Sequence, residues 1–199
     1  MFSHFLSAAF RLLLALPILF LSCRQENSDA AAATPTVVLF DPGGSEHRLF
    51  VPNPETKATV AIFLMTDCPV ANAMLPDLNG MAKHYGPLGI RFYGIYADQE
   101  PEDILRHMDD YRIAFPCLVD DSCRLAKISG ARRVPEAAIF GPDGKPLYCG
   151  RIDDRAVKIG RIKPVPAERN LAAALDALLA GKKLPPPQPV TAGCYLPLD

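Results

Sequence analysis

Residues 59–69 read TVAIFLMTDCP, and this stretch decides the fold. Its first seven residues are an uninterrupted apolar run, which predicts a strand covered on both faces, as in a parallel sheet. Beyond Cys68 and Pro69 the apolar residues recur with the 3.6-residue period of a helix, and Pro76 is expected to kink that helix. Cys68 therefore lies where a buried strand passes into a helix.

This position favours a chemically reactive thiol at Cys68. The first turn of a helix has unpaired backbone N–H groups and a positive end, both of which favour the thiolate, the reactive form of cysteine. The alternative is a free cysteine that serves only as a small buried hydrophobe.

Outward from this junction, short apolar runs bounded by turn residues alternate with helix-periodic segments. The predicted strands are 37–40, 48–51, 90–96, 115–119, 136–140 and 146–151. Further helices are predicted from Pro101, near 124–128, and around Leu171, Leu175 and Leu178. This order predicts an α/β fold with an N-terminal β-hairpin and with helices on both faces of a mixed sheet.

The N-terminus predicts export. Arg11 precedes an apolar run, residues 12–22, that is too short to span a bilayer comfortably, and residues 1–23 are therefore interpreted as a signal peptide. The sequence FLSC at 20–23 resembles the lipobox of bacterial lipoproteins, which implies lipidation of Cys23 and a lipid anchor to the membrane on the periplasmic side of the bacterial cell envelope. Simple cleavage and a retained hydrophobic anchor are the alternatives.

The remaining chain divides into three parts. Residues 24–36 are small and polar and predict a flexible tether, residues 37–181 form the domain, and residues 182–199 form a Pro-rich, extended tail. A formal net charge of −1 argues against nucleic acid as a partner. Six cysteines in an exported chain favour disulfide chemistry, and none of them has the C-x-x-C spacing of zinc or haem sites.

Four features together resemble the thioredoxin superfamily: TDCP at 66–69, Pro76 eight residues after the cysteine, Val134-Pro135 before a strand, and GPDG at 141–144. Within it they resemble the redoxin branch of alkyl hydroperoxide reductases and thiol-specific antioxidant proteins, over residues 45–180. The resemblance implies a thioredoxin-like sheet with Cys68 as redox-active thiol. It also implies a cis bond before Pro135, where the backbone of Val134 pairs with an extended peptide or sulfur substrate.

Three departures from the family patterns narrow this interpretation. Ala71 stands where thioredoxins carry their second cysteine, which excludes a Cys-x-x-Cys cycle in this motif. Met65 stands where peroxiredoxins carry threonine, and Thr66 lies one residue closer to Cys68. Asn72 replaces the second cysteine of copper-delivering relatives, which argues against a copper site. We expect neither a metal nor an organic cofactor.

Several neighbours of Cys68 are candidate site residues. Asp67 and Glu136 oppose a second negative charge nearby, or serve as proton acceptors or donors for the thiol, and Thr66 and Pro135 complete the catalytic set. Val134 is a candidate substrate-binding residue through its backbone. Arg151 and Asp153 are further candidates, because the segment that contains them is expected to run back toward this edge of the sheet. Solvated charged loops are the alternative for these acids and for Arg151.

Without a second cysteine at position 71, any internal resolving thiol must come from elsewhere, and Cys194 is the candidate. The thirteen residues from Gly181 to Cys194 are long enough to return to the active edge, while a disordered tail is the alternative. Cys117 and Cys123 are not expected to bond to each other, and Cys149 is expected to be a packing residue.

The sequence thus predicts a thiol-dependent oxidoreductase. It would act on a peptide disulfide or a small peroxide and be restored by an external thiol reductant. A peroxiredoxin-like hydroperoxide reductase and a non-catalytic binding module of the same fold are the alternatives.

Overall fold

The computed structural model describes residues 36–158 and 160–198. The predicted signal peptide, the lipidation of Cys23 and nearly all of the tether lie outside these residues. The described helices include none that is both long and apolar enough to cross a membrane.

A seven-stranded mixed sheet with order β2-β1-β5-β4-β3-β7-β8 forms the centre of the domain. Its strands are β1 (Val37–Phe40), β2 (Glu46–Leu49), β3 (Ala58–Leu64), β4 (Ile90–Tyr96), β5 (Cys117–Val119), β7 (Glu136–Phe140) and β8 (Pro146–Gly150). Strands β3, β4 and β5 run parallel, and the outer pairings are antiparallel. This confirms the predicted α/β fold.

The helices are α1 (Pro69–Asn72), α2 (Leu75–Tyr85), α3 (Pro101–Asp110), α4 (Arg124–Ser129) and α5 (Asn170–Leu179), with a 3-10 turn at Gly86–Leu88. Instead of one kinked helix after Cys68, the chain forms two, and Pro76 lies in the first turn of the second. Its missing N–H costs nothing there, because the first-turn N–H groups have no partner within a helix.

Four short strands were not predicted. Strands β9 (Ala156–Lys158) and β10 (Arg161–Ile162) pair with each other, and β11 (Cys194–Tyr195) pairs with β6 (Arg133–Val134). Strand β2 also ends two residues earlier than predicted. Phe50 follows it with a positive φ of 61°, and its buried ring packs against Phe140 with 5.0 Å between ring centroids.

The core is continuous around the central strands. All seven residues of β3 are buried, as predicted from their uninterrupted apolar run, and side chains of α2, α3 and α5 are buried with them. Because β3 and residues of α1 are both packed into this core, the turn that carries Cys68 is held firmly at the carboxyl end of β3.

Candidate functional site

Cys68 is the residue that immediately precedes α1, and its side chain is fully buried. The turn from β3 is closed by a hydrogen bond from the Cys68 N–H to the carbonyl of Met65, at 3.2 Å. The Cys68 carbonyl then accepts the Asn72 N–H at 3.0 Å. The strand-to-helix junction predicted from the sequence is therefore present.

The Cys68 thiol faces the loop that precedes β7. Its sulfur donates a hydrogen bond to the carbonyl oxygen of Val134 at 3.6 Å, and the Val134–Pro135 peptide bond is cis, as the resemblance implied. Both Val134 and Pro135 are buried. The fold thus brings together a thiol and a backbone segment that lie 66 positions apart in the chain.

Glu136 holds this loop through hydrogen bonds to its backbone. One oxygen of its carboxylate accepts the backbone N–H groups of Arg132 and Arg133, at 2.8 and 3.1 Å. A carboxylate that accepts two backbone bonds fixes the conformation of the residues that donate them. Glu136 therefore supports the segment that carries Val134.

A hydrogen-bonded chain of polar side chains lies behind the Cys68 turn. Gln99 accepts from both the N–H and the hydroxyl of Thr66, at 3.1 and 2.8 Å, and Asn72 donates to the Thr66 carbonyl at 3.1 Å. The Asn72 amide oxygen then pairs with His107 Nε2 at 2.8 Å, and His107 Nδ1 pairs with the Tyr96 hydroxyl at 2.8 Å. Asp67, in contrast, is exposed.

The partners assign the tautomer of His107. Because the Asn72 amide nitrogen already donates to Thr66, its oxygen must accept, so His107 carries its proton on Nε2 and Nδ1 accepts from Tyr96. Burial lowers the pKa of His107, and Asp110 opposes this with a smaller effect. No local pattern in the sequence pointed to Gln99 or His107, and Asn72 was expected to matter only as the residue that replaces a second cysteine.

We expect the free energy of unfolding to fall as the pH drops below the ordinary histidine value of 6.5. Because folding lowers the pKa of His107, the unfolded chain binds the proton more readily than the folded protein does. The contribution of His107 to stability is therefore present above pH 6.5 and is lost as the pH falls through the pKa of the folded state. Denaturant titrations between pH 7.5 and 5 measure the slope, which His107→Gln should reduce. The same substitution at exposed His84 is the control. An unchanged slope in His107→Gln would contradict the assignment.

Arg151 and Asp153 lie beside Pro135, and all three line one small cavity together with Thr191 of the tail. The Arg151 side chain donates to Asn170 at 2.8 Å and pairs with Glu168. Asp153 is buried and engages the backbone and the guanidinium of Arg155, at 2.9 and 2.7 Å. The structure therefore places both residues near the site, where Asp153 belongs to a buried ion pair and Arg151 pairs with the exposed Glu168.

The tail returns to the site and adds a strand to it. In the antiparallel pair of β6 and β11, Cys194 lies opposite Val134 and Tyr195 lies opposite Arg133. The N–H of Leu196 extends the pairing by donating to the Arg132 carbonyl at 3.1 Å. Cys194 thereby reaches the same backbone position that receives the Cys68 thiol.

Cys194 and Cys68 are close enough to influence each other. Burial raises the pKa of Cys194 to about 11, and interaction with the Cys68 thiol and with the Asp67 carboxylate contributes further. A thiol with this pKa is protonated near neutral pH, and it needs a proton acceptor before it can attack a sulfur atom.

The other described cysteines are free thiols that lie within packed regions. Burial is the main cause that raises the pKa of Cys117 and of Cys149 to about 12, and it also raises that of Cys123. Cys117 and Cys123 donate to different carbonyls, those of Phe115 and Pro197, at 3.8 and 3.0 Å. Among the described residues, no cluster of three or more histidine, cysteine or carboxylate side chains is arranged to hold a metal ion.

Comparison with protein families gives a match to the AhpC/TSA family over residues 32–146. The chain belongs to this family. The matched region includes the Cys68 turn and the Val134–Pro135 loop but ends before the tail. The search of curated proteins gives no match.

Several solved structures resemble this one in fold. An uncharacterised conserved protein from Geobacillus kaustophilus is 28% identical with a TM-score of 0.68, over 82% of this chain and 89% of that one. A hypothetical protein from Sinorhizobium meliloti is 25% identical with a TM-score of 0.67, over 82% and 91%. A secreted disulfide oxidoreductase from Mycobacterium tuberculosis shares the fold, at 16% identity and a TM-score of 0.50, over 73% and 96%. The fold is thioredoxin-like.

Proposed function

We propose that this redoxin is a thiol–disulfide oxidoreductase in which Cys68 is the nucleophile and Cys194 the resolving thiol. The observation that carries the proposal is the pairing of Cys194 with Val134, whose carbonyl accepts the Cys68 thiol. Two thiols that meet at one backbone position would form the redox pair that the helix itself lacks, because Ala71 stands in place of a second cysteine. The substrate would be a peptide disulfide.

The proposed cycle begins when the Cys68 thiolate attacks one sulfur of the substrate disulfide. A mixed disulfide forms, and the first substrate thiolate leaves with the proton given up by Cys68. The Cys194 thiolate then attacks the Cys68 sulfur, and the second substrate thiol leaves with the proton of Cys194. Two electrons pass to the substrate, and the protein keeps a Cys68–Cys194 disulfide that an external dithiol reduces.

Asp67 is the proposed proton acceptor for Cys194. It is exposed, and its charge acts on Cys194. A carboxylate at this position can take the proton from the resolving thiol and pass it to the departing one. Thr66 and Glu136 would act by position, since Thr66 anchors the Cys68 turn to Gln99 and Glu136 holds the Val134 loop.

Reduction of hydroperoxides is the second candidate, and membership of the AhpC/TSA family favours it. Here the Cys68 thiolate would attack a peroxide oxygen, form a sulfenic acid and release an alcohol. Attack by Cys194 on that sulfenic sulfur would release water and form the same disulfide. The two candidates therefore differ in the oxidant and share the Cys68–Cys194 product.

We also propose that the protein works outside the cytoplasm, attached to a membrane by a lipid on Cys23. The support is the apolar run at 12–22 and the FLSC sequence that ends it.

We expect peptide mapping of the oxidised protein, digested without reduction, to recover a peptide pair linked through Cys68 and Cys194. A small disulfide and a hydroperoxide are tested separately as oxidants, and the faster one identifies the activity. Cys149→Ser should keep the linked pair, whereas Cys194→Ser should stop at the mixed disulfide or sulfenic acid of Cys68. A free Cys194 beside fully oxidised Cys68 would refute the resolving role. If Cys68 reacted with neither oxidant, the protein would be a non-catalytic binding module instead of an oxidoreductase.

A further inference from the structure

The tail segment, residues 190–198, lies on the site in the manner of a bound peptide. It is extended, it pairs antiparallel with β6, and its cysteine lies opposite Val134. Cys68 has no exposed surface in this arrangement. An external peptide therefore has to replace the tail segment before its sulfur can reach Cys68.

Side-chain contacts hold the tail segment on both sides of Cys194. Thr191 donates its hydroxyl hydrogen to the Ala156 carbonyl at 2.7 Å, and Ala192 and Leu196 are buried. The guanidinium of Arg133 lies over the Tyr195 ring, 4.2 Å from its centroid, in a cation–π contact. Strand β11 pairs with the two-residue β6 and not with the seven-stranded sheet, so the segment can leave without breaking the pairings of that sheet.

Gly193 makes the close approach possible. A Cβ at this position would lie 2.0 Å from the Val134 carbonyl oxygen, and the φ of Gly193, +156°, is one that L side chains rarely adopt. No side chain fits between the tail backbone and this carbonyl. The residue directly before the cysteine must therefore be glycine for a peptide to bind in this register.

We propose that the tail segment is an internal peptide ligand of the redox site, and that the vacated groove takes extended polypeptide segments with glycine directly before their cysteine. The proposal rests on the function proposed above and names its substrate class. We also expect a preference for an aromatic residue directly after that cysteine, because the Arg133 guanidinium stacks on the Tyr195 ring in the bound tail. The tail and the substrate compete for Val134.

Gly193→Ala tests the internal ligand in the full chain. The methyl group forces the tail away from Val134, and Cys68 alkylation by a maleimide, followed by mass spectrometry of the reduced protein, should accelerate at least about tenfold. Gly181→Ala is the matched control, because Gly181 also has a positive φ, +65°, but nothing lies within 4 Å of its added Cβ. Cys194→Ser keeps the backbone pairing and should keep Cys68 protected.

A peptide with the tail sequence VTAGSYLPL, in which serine replaces cysteine, tests the substrate class. Added to the Gly193→Ala protein, it should restore protection of Cys68, whereas VTAASYLPL should not. Equal protection by both peptides would overturn the glycine requirement, and unchanged alkylation in Gly193→Ala would overturn the internal ligand. Neither measurement depends on turnover, so a failure of the proposed redox cycle remains distinguishable from a failure of this proposal.

Discussion

Replacing Cys68 with serine is expected to abolish disulfide exchange, with a loss of at least ~10³-fold in rate, because an alcohol is a far weaker nucleophile than a thiolate and cannot form a disulfide. The two side chains are nearly the same size. The buried turn between β3 and α1 should therefore keep its structure, and the loss should come from chemistry alone. Initial rates of reduction of a peptide disulfide by the prereduced protein measure the effect.

Cys149→Ser is the matched control for this experiment. It also replaces a thiol by a hydroxyl, but Cys149 is half-buried and lies in β8, where it pairs with Ala138 of β7. Its rate should stay within a few-fold of that of the wild type. Exchange that persists in Cys68→Ser would show that another cysteine carries the reaction.

Asp153→Ala is expected to lower the free energy of unfolding by about 3 kcal/mol, at the lower end of the effect of breaking a buried ion pair. Asp153 and Arg155 are both buried, and Asp153 accepts from the backbone and from the guanidinium of Arg155. Without Asp153, that guanidinium keeps only Asp77, whose side chain is 48% exposed. Chemical denaturation at pH 7 measures the difference.

Asp109→Ala provides the reference, because Asp109 is exposed near the end of α3, and its replacement should change stability by no more than about 0.5 kcal/mol.

The pair of variants also tests the substrate-binding role predicted for Asp153. A variant that stays as stable as the wild type but binds peptide more weakly would favour substrate contact over structural support.

The strands and helices next to the site followed from local patterns in the sequence. The apolar run of β3, the periodic residues of α2 and the turn sequences of the two hairpins each report an environment that repeats over a few residues. The cis bond before Pro135 was implied only by the family resemblance, whereas the position of Cys68 at the junction followed from the same local evidence. Such features are encoded by neighbours in the chain.

Contacts between distant segments were not visible in this way. Asn72 and His107 are 35 positions apart, and each is an ordinary polar residue on its own helix until tertiary packing brings them together. Arg151 and Asp153 were predicted to bind substrate, but in the structure their side chains pair with Glu168, Asn170 and Arg155. Only the packed structure determines which charges pair with each other.

The sequence by itself determined that a cysteine lies between a buried strand and a helix, that a second cysteine three residues later is missing, and that a tail with a Gly-Cys pair is long enough to return. The tertiary structure alone decided that the tail does return and that it pairs with Val134. A two-residue strand has no periodic pattern, and its pairing depends on a backbone edge 60 residues earlier in the chain. The need for glycine at 193 arises from the carbonyl of Val134, which no local rule places there.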